Sequence, residues 1–277
     1  MLHDVYHALK RNRLTSAIMQ ACDMTLPVRL DGVPSPVYSR IISGHWVKDD
    51  YELDSRKAFR KIVRGIGAQT LFDIGANVGI YTAEFCAMVP NAPVVAMEPN
   101  KRVFGCLKRT CAKAGSRAVS IQTAVSDVAG HVNIKFDPLA PAMGGILPGE
   151  DGLYNSQRNY GAFLVSHEVT ATTVEETVRR YFTPDMVKID VEGAELLVFK
   201  GGRELFSQHH PAIFFEFSRD KDEIASLIKS WGYILFSDRL EPISYPEFYT
   251  FALHRDRHAK FIRELVEEHS KDRVCQV

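Results

Sequence analysis

The sequence predicts an α/β protein built on a mainly parallel β-sheet with helices on both faces. From residue 69 onward, short apolar runs alternate with amphipathic segments of helical length, which is the pattern of successive strand–helix–strand units. Two of the apolar runs, Val94–Met97 and Ile213–Phe215, contain no polar residue. Such runs are typical of strands that are buried on both faces, as in parallel sheets covered by helices.

Seven strands and five helices are predicted in this region. The strands lie at 70–74, 93–97, 118–125, 186–190, 211–217, 232–236 and 248–254, and the helices at about 79–89, 100–114, 173–182, 194–206 and 220–230. A sheet of this kind binds its ligand at the carboxyl ends of the strands, near the point where the strand order reverses.

A long insertion separates the third predicted strand from the fourth. Residues 130–136 and 162–171 alternate between polar and apolar side chains and are predicted to pair as antiparallel strands. Between them, residues 137–161 are rich in Pro and Gly, and a connection of this length without secondary structure is usually functional or disordered. We predict that residues 137–161 form a lid over the substrate, and a mobile surface loop is the alternative.

The first fifty residues do not follow the strand–helix alternation. Residues 1–22 show helical periodicity, residues 26–45 combine prolines and a glycine turn in the manner of a hairpin, and residues 52–64 return to a helical pattern. We therefore predict an extension at residues 1–50 that packs on or caps a main domain at residues 51–277.

Composition excludes several classes of function. The chain has 277 residues with 34 Lys and Arg against 34 Asp and Glu, and this zero net charge argues against a protein that binds nucleic acid. It shows neither a signal peptide nor an apolar segment long enough to cross a membrane. The five cysteines include no C-x-x-C pair, which argues against a disulfide framework or a zinc site. We expect a cytoplasmic protein with no membrane partner.

A glycine turn after the first strand of the main domain predicts a nucleotide-type ligand. Asp73 comes near the end of that strand, Gly75 and Gly79 follow, and Glu98 ends the next strand. Glycines let a backbone approach a ligand closely. A carboxylate at Asp73 would repel a pyrophosphate but attract an ammonium or sulfonium, while Glu98 suits the hydroxyls of a ribose. A positively charged adenosine cofactor satisfies both positions, and S-adenosylmethionine is the common one, so we predict a methyltransferase.

Acidic residues also cluster at the predicted ends of the fourth and fifth strands. Asp190 ends the fourth strand, Glu192 and Glu195 follow within five residues, and Glu216 ends the fifth strand among aromatic residues. We predict that Asp190 lies at the reacting oxygen of the acceptor with Glu216 as its partner. The two carboxylates could act in general base catalysis or hold a divalent cation such as Mg²⁺, and spacing leaves both open. Glu192 and Glu195 could instead stabilise the start of the following helix.

Other polar residues are weaker candidates. Lys188 precedes Asp190 by two positions and is predicted either to pair with an acid beneath the site or to extend its ammonium to water. His131 and His167 flank the predicted lid and are alternative bases. The sequence contains neither G-x-S-x-G nor G-x-x-x-x-G-K-[ST], which excludes a serine hydrolase of the first type and a P-loop enzyme.

Taken together, these motifs resemble the FkbM family of S-adenosylmethionine-dependent methyltransferases. The matching stretches run in the family's order and are Asp73–Thr82, Glu98-Pro99, Ala124–Asp127 with Gly130, Lys188–Glu195, Gly201 and Pro211–Glu216. The resemblance implies a Rossmann-like class I methyltransferase fold with a seven-stranded sheet and a reversed last hairpin. It also implies methyl transfer, usually to a hydroxyl oxygen of a sugar, a polyketide macrolide or another small molecule.

The resemblance further implies roles for individual residues. Asp73, Gly75 and Asn77 would line the methionine part of the cofactor, Glu98 would hold the ribose, and Asp127 would lie near the adenine. Gly79 and Ser126 are also predicted to bind the cofactor. A plain turn explains Ser126-Asp127 nearly as well. The predicted partner is a small hydroxylated acceptor, and a homo-oligomer is left open.

Two other functions are weighed against this prediction. A nicotinamide-dependent oxidoreductase would need G-x-G-x-x-G, whereas the chain has Gly75-Ala-Asn-Val-Gly79 with Asp73 facing the place of the phosphates. A non-catalytic cofactor-binding module would have no use for acids at 190, 192 and 216, which are unfavourable to bury.

Overall fold

The structure, a computed structural model, describes residues 13–44, 47–48, 50–115, 117–137, 140–146, 165–217 and 219–274. The helices are α1 Arg13–Cys22, α2 Leu53–Ile66, α3 Ile80–Met88, α4 Lys101–Ala114, α5 Val174–Arg180, α6 Glu195–Gly201, α7 Lys221–Ser230 and α8 Ala259–Val274, with a π-helical turn at Leu205–His209. The strands are β1 Thr25–Leu30, β2 Val33–Arg40, β3 Leu71–Ile74, β4 Val94–Met97, β5 Ala118–Ile121, β6 Ala124–Val125, β7 Gly130–Asp137, β8 Ala140–Ile146, β9 Val165–Thr172, β10 Met186–Ile189, β11 Ala212–Glu216, β12 Tyr233–Phe236, β13 Pro242–Ile243 and β14 Tyr249–His254.

The main sheet has eight strands in the order β13-β12-β14-β11-β10-β3-β4-β5. Strands β5, β4, β3, β10 and β11 are parallel, and β14 runs antiparallel between β11 and β12. This confirms the predicted Rossmann-like, mainly parallel sheet with a reversed last hairpin. The two-residue strand β13 adds an edge that the sequence did not predict. The strand predicted at 118–125 is interrupted at Thr123, whose N–H bonds back to the Ile121 carbonyl, and β6 joins another sheet.

The insertion forms a four-stranded sheet in the order β6-β9-β7-β8. Strand β7 pairs antiparallel with β9, as predicted, and with β8 on its other side. The expectation that residues 137–161 lack regular structure is therefore wrong at β8, where backbone pairing with β7 outweighs the weak strand propensity of a Pro- and Gly-containing segment. Residues 138–139 and 147–161 lie outside the described residues, so the lid itself stays a prediction.

Alternating side chains of the central strands fill the space on both faces of the main sheet. Phe72 and Phe215 belong to one hydrophobic cluster, whereas Leu71 and Phe214 belong to a second cluster on the opposite face. Every residue of β3, β4 and β10 is buried. Strands covered on both faces in this way hold their carboxyl ends in fixed register, which is what a site built from strand ends requires.

The β1–β2 hairpin and α2 are fastened to α3 by a buried cluster of charges. Glu84 of α3 is 1% exposed and accepts hydrogen bonds from the guanidinium groups of Arg56, at 2.5 Å, and Arg60. Arg56 also donates to the carbonyl oxygen of Asp31 in the hairpin turn, at 3.0 Å. These contacts fix α3, which begins directly after the glycine turn. Among the described residues, no helix is both long enough and apolar enough to cross a membrane.

Candidate active site

One register row of the main sheet contains four of the nine predicted site residues. Parallel pairing places Asp73 beside Lys188, and Lys188 beside Phe214. Because side chains alternate along a strand, the residues two positions later continue on the same face at the carboxyl edge. From β4 across to β11, this carboxyl-edge row is Glu98, Gly75, Asp190 and Glu216.

The turn after β3 requires glycine at its first position. Gly75 has a φ of 69°, and a Cβ added there would lie 1.7 Å from the carbonyl oxygen of Asp190. Asn77 and Gly79 also have positive φ angles, of 51° and 87°. The turn therefore lies directly against the end of β10, and its backbone can approach a ligand closely.

Glu98 is held in place by two backbone donors. It is 8% exposed, and its Oε2 accepts from the Asn77 N–H at 3.0 Å while Oε1 accepts from the Asn100 N–H at 2.8 Å. A carboxylate offers about four lone-pair sites, so each oxygen can accept one further hydrogen bond. Burial raises the pKa of Glu98 to about 7, against the lowering effect of the two N–H groups. The side chain is thus preoriented to accept from two hydroxyls.

A cavity of about 400 Å³ lies beyond the ends of β4 and β5, where Pro99 follows Glu98 in the chain. Pro99 and Gln122 line it on the side of the main sheet, and Phe136 and His167 line it on the side of the second sheet. The rings of Phe136 and His167 lie 5.3 Å apart between centroids. Seven of its twelve lining residues are polar or charged, and the other five, which include Ile134 and Phe136, give it apolar surface.

Three carboxylates converge at the other end of the row. Oxygen atoms of Asp190, Glu192 and Glu216 all lie within 4.8 Å of one another. Burial, followed by the charge of Asp190, raises the pKa of Glu192 to about 8 and that of Glu216 to about 9. Both shifts favour the protonated form, because a second and third negative charge would be unfavourable so close to the first. Carboxylate oxygens are also the donors that a divalent cation such as Mg²⁺ prefers.

The buried positions beneath the row are also charged. Asp73 is fully buried; its Oδ2 accepts from the Thr82 hydroxyl at 2.6 Å, and its Oδ1 lies 3.7 Å from the Lys188 ammonium. Burial raises the pKa of Asp73, and the charge of Lys188 opposes this shift. The pairing of Lys188 with Asp73 is the first of the two alternatives predicted for this lysine, an acid beneath the site, and Lys188 also donates to Asp190 at 3.0 Å. Asp73 lies on β3, two positions before Gly75 in the chain.

The family model for the methyltransferase FkbM domain matches residues 73–235, a region that contains the whole carboxyl-edge row. The chain belongs to this family. Two relatives are also methyltransferases. Methyltransferase sdnD from Sordaria araneosa is 26% identical in an alignment of 200 residues, which covers 62% of this chain and 76% of that protein. The hexuronic acid methyltransferase AglP from Haloferax volcanii is 30% identical over 132 residues, or 47% of this chain and 48% of that protein.

A crystal structure of methyltransferase FkbM from Methylobacillus flagellatus aligns with a TM-score of 0.47 and 16% identity. The alignment covers 68% of this chain and 44% of that chain. The chain thus spans about half the length of AglP and less than half of the M. flagellatus protein. Methyl transfer is the activity that family membership assigns to this domain.

Several predicted residues of the FkbM domain lie away from the carboxyl-edge row. Ser126 is buried and donates to the Asp127 carboxylate at 3.1 Å, at the end of β6. His131 is exposed on β7, and His167 lines the cavity beyond the ends of β4 and β5. Glu195 is buried and accepts from the Gly193 N–H at 3.0 Å, as expected of a residue that stabilises a helix start.

One acidic residue near the site, outside the matched range 73–235, was not predicted from the sequence. Glu52, at the N-terminus of α2, accepts from the Tyr81 hydroxyl at 2.7 Å and also hydrogen-bonds to Tyr51 and Tyr249. Burial raises its pKa, and the charge of Asp190 adds to the effect. No local pattern marks Glu52, because only the packing of α2 against the sheet brings it near Asp190.

Proposed function

We propose that this methyltransferase domain transfers a methyl group from S-adenosylmethionine to a hydroxyl oxygen of a small molecule. The observation that supports this most strongly is the carboxyl-edge row. Glu98 and the Gly75 turn lie at one end and match the needs of an adenosine sulfonium, while Asp190 and Glu216 lie at the other end and match those of a hydroxyl acceptor. The zero net charge favours a small molecule over a nucleic acid as partner.

The cofactor half of the proposal rests on Glu98. Its two oxygens each accept one backbone N–H and keep capacity for the two ribose hydroxyls. The cavity that Pro99 and Gln122 line has the size to take an adenine ring, and Ile134 and Phe136 offer it apolar surface. Asp127 stays the predicted partner of the adenine amino group. Gly75 and Asn77 would then face the methionine part of the cofactor.

The acceptor half rests on Asp190. In an in-line displacement the acceptor oxygen attacks the methyl carbon, the C–S bond breaks, and a neutral thioether leaves, so alignment of the two substrates is the main requirement. A hydroxyl must also lose its proton, which Asp190 would accept. The Lys188 ammonium lies 3.0 Å from Asp190 Oδ2 and gives this carboxylate its counter-ion. The raised pKa values of Glu192 and Glu216 make these two groups hydrogen-bond donors to the acceptor or to Asp190.

The same carboxylates fit a divalent cation as a second way to activate the hydroxyl. Asp190, Glu192 and Glu216 offer three oxygen ligands within 4.8 Å of one another. A bound Mg²⁺ would supply Lewis-acid stabilisation of the developing alkoxide. A carboxylate acceptor, by contrast, has no proton to lose and would need neither a base nor a cation, so this group of carboxylates favours a hydroxyl acceptor.

The proposal is tested by incubating the protein with S-adenosylmethionine that carries a labelled methyl group. The acceptors are a panel of neutral glycosides, polyols and macrolides, and uronic acids serve as the anionic acceptors for comparison. We expect the labelled methyl group to be transferred to a neutral hydroxylated acceptor, as a methyl ether that is stable to mild alkali. Label that mild alkali releases as methanol would identify a methyl ester and overturn the hydroxyl assignment. S-adenosylmethionine that fails to bind the protein would overturn the cofactor assignment.

The pKa of Glu98 predicts how cofactor binding depends on pH. In the protein without cofactor, burial raises the pKa of Glu98 to about 7, above its value in the unfolded chain. Protonation of Glu98 therefore stabilises the folded state at low pH, and this stabilisation is lost as the pH rises through about 7. Ribose hydroxyls donate to the ionised form, so S-adenosylhomocysteine should bind more weakly as the pH falls from about 8 to about 6, and should displace a proton at the lower pH. Calorimetry at about pH 6 in buffers of different ionisation enthalpy measures that proton; a buffer-independent heat would contradict the prediction.

A further inference from the structure

Lys188 is a buried cation between the two halves of the site. Its side chain is 3% exposed, and the residue pairs in register with Asp73 on the neighbouring strand β3. Its ammonium lies 3.7 Å from Asp73 Oδ1 and 5.7 Å from the centre of the Tyr81 ring. A buried ammonium is unfavourable unless its charge and its N–H groups are all engaged. The contacts of Lys188 therefore indicate what it does.

Two of those contacts join different parts of the site. Lys188 Nζ donates to the carbonyl oxygen of Gly75 at 2.7 Å, which is in the cofactor turn, and to Asp190 Oδ2 at 3.0 Å, which is at the acceptor end. The two segments already touch, because a Cβ on Gly75 would lie 1.7 Å from the Asp190 carbonyl oxygen, and the Asp190 N–H bonds to the Ile74 carbonyl at 3.1 Å. One ammonium thus fixes the turn and the Asp190 side chain relative to each other.

We infer that Lys188 is a positioning residue that sets the cofactor turn and the Asp190 carboxylate in their mutual geometry. It acts on the donor through Gly75 and on the acceptor through Asp190. The inference rests on the proposed function, since it assigns a donor end and an acceptor end to the same row. A lysine that only neutralised buried Asp73 would have no reason to bond to the turn carbonyl and to Asp190. In-line transfer is sensitive to small displacements of either reactant, so a residue that fixes the turn relative to Asp190 would favour the reaction.

The test compares Lys188→Met with Thr82→Val by titration with S-adenosylhomocysteine. Thr82 bonds to the same buried Asp73, at 2.6 Å, but to neither Gly75 nor Asp190 in the described contacts, so it is a matched control for disturbance of the buried charges. We expect Lys188→Met to weaken binding by about tenfold or more, because the ligand must then order a turn that Lys188 no longer holds, and Thr82→Val to stay within about twofold of the wild type. Equal affinity in Lys188→Met and the wild type would overturn the inference.

Two further measurements separate the possible failures. If Lys188→Met does not fold, Lys188→Gln replaces it, because the shorter neutral amide loses the bond to one or both segments, and the same weakening is expected.

Amide hydrogen exchange of residues 75–79 in the free protein should be faster in the Lys188 variant and unchanged in Thr82→Val. A wild type that does not bind S-adenosylhomocysteine would defeat the proposed function, whereas unchanged exchange in the turn would defeat the role of Lys188. With an acceptor in hand, the loss of kcat in Lys188→Met and Asp190→Asn should be non-additive.

Discussion

Asp190→Asn is expected to lower the rate of methyl transfer by roughly 10²–10⁴-fold, the range that a positioned general base supplies. The amide keeps the shape of the side chain and can still accept from Lys188, so the turn at Gly75 keeps its partner. Affinity for S-adenosylhomocysteine should therefore stay within about threefold of the wild type. Single-turnover transfer of a labelled methyl group and calorimetry of the product complex measure the two quantities separately.

Treatment with EDTA distinguishes between the two roles considered for Asp190, metal ligand and general base. A metal mechanism loses activity with EDTA and regains it when Mg²⁺ or Mn²⁺ is added, whereas a bare general base is indifferent. Normal turnover in Asp190→Asn would show that this carboxylate is structural. It would move the proton transfer to Glu216, Glu52 or one of the histidines.

Glu98→Ala is expected to abolish most of the affinity for the cofactor. The variant removes two charge-assisted hydrogen bonds to the ribose, worth about 1.5–3 kcal/mol each, so binding of S-adenosylhomocysteine should weaken by roughly 10²–10⁴-fold. The variant also leaves the N–H groups of Asn77 and Asn100 without their acceptor, and this loss should make the turn after β3 less ordered.

Glu195→Ala is the paired control. Glu195 is buried and accepts from the Gly193 N–H, so its loss should lower the free energy of unfolding while changing cofactor binding little. Thermal unfolding and calorimetry on both variants check these expectations. Unchanged affinity in Glu98→Ala would remove the ribose assignment.

Each acid of the carboxyl-edge row could be predicted from the sequence, because it lies at the end of an apolar run that is recognisable as a strand. Asp190 and Glu216 follow runs with almost no polar residue, and a period of two then sets the face on which they lie. Asp73 was also placed correctly at the end of β3, but its complete burial was not predicted. That burial depends on α3 and on Lys188, which cover it from two other elements.

Other features depend on contacts that no local pattern encodes. Glu52 reaches the site because the buried Arg56–Glu84 pair fastens α2 to α3, and the two partners are 28 residues apart in sequence. Strand β8 forms only because β7 offers a free edge, since its own residues include Pro and Gly. The cavity beyond the ends of β4 and β5 is likewise formed where the second sheet meets the end of the first.

The most direct test of the account is a crystal structure with S-adenosylhomocysteine bound, in which anomalous scattering locates the sulfur. The account predicts ribose hydroxyls within hydrogen-bonding distance of the Glu98 carboxylate, and the sulfur beside the Gly75 turn on the side that faces Asp190 and Glu216. A ribose held elsewhere, or a sulfur directed away from Asp190, would contradict the division of the row into a donor end and an acceptor end.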